Sequence, residues 1–148
     1  MRPPRNPWLV AAGALSAGAA LLHLGIIAGG PDWYRFFGAG AGMARLAEQG
    51  SPRPALITLA IAAVLAVWAA YAFAGAGLIR RLPLMRAALV AITAVYLLRG
   101  LVLVPVLAAG QPVPSAFIVW SSLIVLGFGI VHAAGTWRAW PSLGGRPA

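Results

Sequence analysis

The run Ala94-Val-Tyr-Leu-Leu-Arg-Gly-Leu-Val-Leu-Val104 decides the fold, because it lies inside an apolar segment spanning residues 84–108. At about 1.5 Å per residue, a helix of that length crosses a hydrocarbon core about 30 Å thick. Three further segments match it, at approximately residues 8–28, 55–79 and 116–137. Breakers separate them: Gly29-Gly-Pro31, Ser51-Pro-Arg-Pro54, Arg80-Arg-Leu-Pro83 and Gly110-Gln-Pro-Val-Pro114. Two of these connections are short, which favours antiparallel neighbours. The sequence therefore predicts an all-α polytopic membrane protein, an up-down bundle of four transmembrane helices forming a single domain over residues 1–148.

Composition agrees. Of 148 residues, 61% are hydrophobic and only 9% charged, with a mean hydropathy of +0.89. A soluble domain carries about 25% charged residues, so this chain is solvated mainly by lipid. It has no cysteine, which excludes disulfides, thiolate metal sites and cysteine nucleophiles. With two acids and two histidines in all, neither a metal nor another cofactor is expected. The net charge is +9 and all eleven basic residues are arginine. They sit at the ends of apolar segments rather than in one basic run, which points to membrane lipids as partners and away from nucleic acid.

Arginine counts set an orientation. The amino terminus (Arg2, Arg5), the second connection (Arg80, Arg81, with Arg86 just inside) and the carboxyl terminus (Arg138, Arg146) hold seven. The first connection (Arg35, Arg45, Arg53) and the third (none) hold three. The positive-inside rule then places both termini in the cytoplasm, and arginine without lysine, with abundant Ala, Gly and Pro, points to a GC-rich bacterial genome and so to a bacterial inner membrane. A cleaved signal peptide is the competing reading of the first segment, disfavoured because its apolar run continues to Ile27 with no polar end.

The first connection, residues 29–54, is unusual for a loop. Pro31-Asp32 is a good helix start, and Trp33-Tyr-Arg-Phe-Phe37 is too apolar to be solvated. One or two short interfacial helices are expected here, lidding the outer face. The Ala/Gly-plus-arginine likeness between residues 37–46 and 73–82 is read as low complexity, not as an internal repeat.

Arg99 is the best pointer to function. A guanidinium stays charged, and at bilayer depth it costs at least about 2.5–3.5 kcal/mol. It shares a helical face with Thr93, Tyr96 and Gly100; Ser16, Ala20 and His23 share another, and Ser122, Gly129, His132 and Thr136 a third. His23 falls roughly 7 Å inside the outer end of its helix and Arg99 roughly 9–13 Å. Ser121 and Ser122 lie in the same outer half. Glu48 is expected as the counter-ion of Arg99, with Asp32 second, although Asp32–Arg35 and Arg45–Glu48 compete as local pairs. His132 is read as a packing histidine near the inner face, and Trp68 and Tyr71 as packing residues.

The stretch His23-Leu-Gly-Ile-Ile-Ala-Gly-Gly-Pro-Asp-Trp-Tyr-Arg-Phe-Phe-Gly-Ala-Gly40 resembles that of small bacterial four-helix membrane proteins with a histidine late in helix one and an Arg-Phe-Phe-Gly segment after it. The resemblance covers most of the chain. It implies the topology and no activity.

The expected function is binding of a small amphipathic or anionic ligand, or a lipid, in an outward-facing polar pocket. Arg99, His23, Glu48, Asp32, Tyr96, Ser121, Ser122, Trp33 and Arg35 are its candidate residues. Two other readings stand beside it. One is a non-catalytic structural or accessory subunit, in a homo-oligomer or larger membrane complex, where Arg99 makes only a structural ion pair. The other is a small intramembrane enzyme using His23 and Glu48 for proton transfer.

Overall fold

The computed structural model describes residues 5–112 and 115–144, and every regular element among them is helical: α1 (Pro7–Phe36), α2 (Ala41–Glu48), α3 (Arg53–Gly75), α4 (Met85–Gly100), α5 (Leu103–Ala108) and α6 (Ala116–Leu143). Arg2, Arg146 and Pro114, used above, lie outside those residues. Four stretches are long and apolar enough to cross a membrane: Pro7–Phe36, Arg53–Gly75, Met85–Ala108 and Ala116–Leu143. Only 17–28% of their most apolar stretches is buried. Leu21, Val67, Leu98 and Ile124 are each more than half exposed. Apolar surface on this scale needs lipid rather than water around it.

Three boundaries differ from the sequence expectation, and each has a local cause. The expected break at Gly29-Gly-Pro31 is present: within Pro7–Phe36, Gly30 leaves the helical region at φ 67°, ψ −152°. Proline lacks an N–H and disfavours a helical residue before it. Gly30, without a Cβ, adopts the conformation that lets the helix restart.

Helix α3 stops at Gly75 rather than residue 79. Leu78 N–H bonds to Phe73 O at 3.0 Å and Gly77 N–H to Ala74 O at 3.1 Å, with Gly77 at φ 76°. This is the Schellman termination, which closes the last carbonyls of a helix on a left-handed glycine. Gly38, Gly50 and Gly110 end helical stretches with the same bond pair.

The third span is broken between α4 and α5. The Leu101 carbonyl would normally receive the N–H of residue 105, but that residue is Pro105 and has none. Leu101 O accepts instead from Val104 N–H at 2.9 Å, a tighter turn that interrupts the α pattern.

Helix α6 continues through Trp137 to Leu143 despite Pro141. Its last carbonyls are satisfied from outside the helix. Arg86 donates to Trp140 O at 3.0 Å and Arg81 to Ser142 O, as orphan carbonyls at a helix end require. At its other end, Ser115 Oγ accepts from Ile118 N–H at 3.3 Å.

The chain divides into two compact units, Met1–Ser16 with Trp68–Ala148, and Ala17–Val67. The core of the first is built from Leu9, Ala12, Ala72, Met85, Leu89, Ala139 and Leu143. Helices α4 and α6 pair closely within it. A Cβ on Gly100 would sit 2.6 Å from Leu126 Cα, and one on Gly129 would sit 2.7 Å from Leu97 Cδ2. Small residues let helix backbones approach where lipid removes the hydrophobic drive for association. The second unit has a smaller core, Ile26, Tyr34 and Ala44, covered by Phe37, Met43 and Ala47.

Candidate functional site

In the larger unit, the polar faces of three helices converge. Tyr96 on α4 and Ser16 on α1 bring their hydroxyls to 2.9 Å, and Ser16 Oγ lies 3.5 Å from His132 Nε2 on α6. His132 and Ser16 are wholly buried and Tyr96 is 5% exposed. His132 Nδ1 is 2.9 Å from Phe128 O. A carbonyl only accepts, so Nδ1 carries the hydrogen and Nε2 of the neutral ring is an acceptor. That fixes the polarity: Tyr96 O–H donates to Ser16, and Ser16 O–H donates to His132. The Trp68 and Phe128 rings meet Tyr96 edge-on at 4.9 and 5.6 Å between centroids. The cluster joins three helices and leaves no member without a partner.

Sequence reasoning listed Tyr96 but did not assemble this cluster. Ending the fourth helix at residue 137 placed His132 near the inner face. Because α6 runs to Leu143, His132 lies about 16 Å from that end, and Ser16 and Tyr96 lie about 14–17 Å from Pro7 and Met85. Helix length was the missing signal.

Arg99 occupies the exposed edge of the α4–α6 pair, in the last turn of α4. Its Nη1 donates to Ser122 Oγ at 3.0 Å and its Nη2 to Ser121 Oγ at 3.2 Å. Ser121 donates its own hydrogen to Ile118 O at 3.2 Å, which leaves its oxygen lone pair turned to the guanidinium. Two neutral hydroxyls orient the charge and do not neutralise it.

The expected pairing of Arg99 with Glu48 or Asp32 is replaced by another. Among the described residues, both carboxylates belong to Arg35 in the smaller unit. Its Nη1 donates to Asp32 Oδ1 at 2.9 Å and its Nη2 to Glu48 Oε1. Asp32 and Arg35 are one turn apart after the Gly30 kink, and the turn at Gly38 folds α2 back so that Glu48 reaches the same guanidinium. Arg45, the other local candidate for Glu48, donates instead to Ala41 O at 3.5 Å. The trio is exposed, where ion pairs contribute little.

His23 is in the smaller unit, half-buried, with Nδ1 2.8 Å from Ala19 O one turn earlier. Trp33 stacks obliquely with Phe37 at 5.6 Å, and with Asp32 and Phe36 they line a shallow cavity of about 470 Å³. Among the described residues, the buried hydroxyls of Tyr34 in the smaller unit and Thr136 in the larger have no partner. A second cavity of about 450 Å³, lined by Arg5, Arg81 and Arg138 among others, lies at the end of the larger unit where α1 begins and α6 finishes. Neither cavity includes Arg99. Among the described residues no group of three or more His, Cys, Asp or Glu side chains converges on a point.

Compared with protein-family models, with curated proteins and with solved structures, the chain finds no match in any of the three.

Proposed function

We propose that this chain is a multi-pass protein of a bacterial inner membrane, an up-down bundle with both termini in the cytoplasm, and that Arg99 binds the anionic headgroup of a lipid or a small amphipathic anion. Four long apolar helices with exposed apolar faces support the membrane setting. The arginine distribution supports the orientation. Residues 31–36 and α2 form the interfacial pieces of the outer face, where aromatic side chains such as Trp33 and Phe36 sit favourably.

One observation carries the ligand reading: Arg99 is exposed, is oriented by Ser121 and Ser122, and has no carboxylate partner among the described residues. A guanidinium presents five N–H donors in a planar fork suited to phosphate or carboxylate. An exposed edge site of this kind takes a headgroup from the side rather than enclosing a ligand. Proton-transfer chemistry has less support, because Glu48 is held by Arg35 and one nitrogen of His23 is bonded within its own helix.

A specific observation also favours the structural reading: the same two hydrogen bonds tie α4 to α6 and could serve packing alone. Purified protein with Arg99→Gln separates the two. Native mass spectrometry from bilayers of mixed phosphatidylglycerol and phosphatidylcholine should show preferential retention of the anionic lipid by the parent protein. The variant should lose that preference about tenfold, equivalent to about 1.4 kcal/mol. Unchanged lipid retention with reduced thermal stability would assign Arg99 to packing.

A further inference from the structure

We propose that the cavity beside the α1 kink, in the smaller unit, is a cation site, one that takes the quaternary ammonium group of a lipid headgroup. The cavity measures about 470 Å³ and is lined by Asp32, Trp33, Phe36 and Phe37. That volume is within the usual range for small-ligand sites, about 300–1,000 Å³. At i, i+1, i+4 and i+5, the four residues share one face of the turn that restarts after Gly30. Phe37 N–H bonds to Trp33 O at 2.9 Å and keeps Phe37 in that turn. A single stretch of chain thus presents one carboxylate and three aromatic rings together.

The rings are set at angles to one another instead of stacking flat. Phe36 and Phe37 are nearly perpendicular, at 83° with centroids 5.0 Å apart, and Trp33 is tilted by 43° from Phe37. Glycine seats the indole. A Cβ on Gly29 would collide with Cγ, Cδ1 and Cδ2 of Trp33, and one on Gly25 would lie 3.5 Å from its Cζ3. Phe37 packs against the small core of Ile26, Tyr34 and Ala44. Two of the three rings are thereby positioned by the fold itself, and Phe36 stays exposed beside them.

Charge selects the ligand. Asp32 is the charged residue of the lining, and none of Arg35, Arg45 and Arg53, the arginines of this unit, belongs to it. Asp32 meets Arg35 through Oδ1, and the same guanidinium also holds Glu48. Two carboxylates share one cation, so the trio keeps a negative charge in excess. An aromatic face attracts a cation through its quadrupole, and a quaternary ammonium suits such faces because it has no N–H left to satisfy. Asp32 repels an anion, and a neutral group gains only apolar burial. The lipid source rests on the membrane setting proposed above, in which residues 31–36 lie at the outer interface among headgroups. Trp33 and Phe36 remain exposed there and offer apolar surface to the rest of the lipid.

The test uses the full chain in maltoside micelles with Arg99→Gln as background, so that the Arg99 site contributes nothing. The probes are choline, its uncharged tert-butyl analogue, short-chain phosphatidylcholine and short-chain phosphatidylglycerol. The readout is the indole N–H resonance of Trp33 in isotope-labelled protein, assigned by its loss in Trp33→Phe. Choline should shift it saturably and bind about tenfold more tightly than the uncharged analogue. Phosphatidylcholine should bind more tightly again. Asp32→Asn and Phe36→Leu, both at exposed positions, should each weaken phosphatidylcholine binding severalfold while the melting temperature holds. Choline binding as tightly as phosphatidylcholine would overturn the lipid assignment in favour of a soluble quaternary amine. Equal binding of choline and its uncharged analogue, an equal response to the two lipids, or no effect of Asp32→Asn would overturn the site itself and leave the three rings as an interfacial anchor. None of these results bears on Arg99.

Discussion

The hydroxyls of Ser16 and Tyr96 lie 2.9 Å apart, a buried bond between residues 80 positions apart in the chain. Ser16 occupies the middle of the chain of bonds, accepting from Tyr96 and donating to His132. Its loss leaves two buried polar groups without partners, whereas loss of the Tyr96 hydroxyl leaves Ser16 still bonded to His132. Ser16→Ala should therefore destabilise by about 1–3 kcal/mol, and Tyr96→Phe by only about 0.5–1.5 kcal/mol. Reversible unfolding in mixed micelles, run as a double-mutant cycle, checks the order. A larger effect for Tyr96→Phe would contradict the assigned polarity.

Backbone proximity at the α4–α6 crossing gives a second expectation. The nearest atoms to a Cβ on Gly100 are Leu126 Cα at 2.6 Å and Leu126 N and Cβ at 2.7 Å, so no side-chain rotation relieves the clash. Gly100→Ala should cost about 1–3 kcal/mol. Gly127→Ala on α6 meets nothing within 4 Å and should be neutral or stabilising, because alanine is the better helix former by about 1 kcal/mol. Melting temperatures of the two variants in one detergent make the comparison.

The kink in α1 gives a conditional expectation. Gly30 holds φ 67° immediately before Pro31, which bars it from the helical region, so Gly30→Ala should cost about 1–3 kcal/mol while Pro31 is present. With Pro31→Ala added, residue 30 is free to become helical and the penalty should disappear. Thermal denaturation of the single and double variants is the measurement. A penalty that persists in the double variant would trace the conformation to packing instead of to proline.

Much of the fold was legible because lipid imposes a length on every span and arginine marks the ends. The errors came where a single residue edits backbone hydrogen bonding. Hydropathy carried residues 76–79 into the second helix, while Gly77 ends it earlier. Hydropathy also runs unbroken through Pro105, yet its missing N–H reshapes the turn at Leu101. The site was legible residue by residue but not as an assembly. Ser121, Ser122 and Arg99 were all named, and the structure joins them. Glu48 was assigned to Arg99 from charge alone, although the fold of residues 31–48 delivers it to Arg35. Periodicity records faces, and it does not record how a turn such as that at Gly38 redirects a short helix.

The proposed orientation rests on the excess of arginines on one set of connections. Reporter fusions at residue 144 or beyond should report a cytoplasmic carboxyl terminus, and fusions after Ser51 a periplasmic connection. The reverse pattern would invert the assignment of Arg99 to the outer leaflet.

Trp120 provides the most direct test of the Arg99 site, because it is 66% exposed and adjoins Ser121, which accepts a hydrogen bond from Arg99. A chain retaining Trp120 as its single tryptophan, placed in vesicles containing brominated lipid, reports which headgroups gather there. The account predicts stronger quenching by brominated phosphatidylglycerol than by brominated phosphatidylcholine at equal mole fraction, with the difference abolished by Arg99→Gln. Equal quenching by the two lipids in the parent chain, or a difference that survives Arg99→Gln, would contradict it.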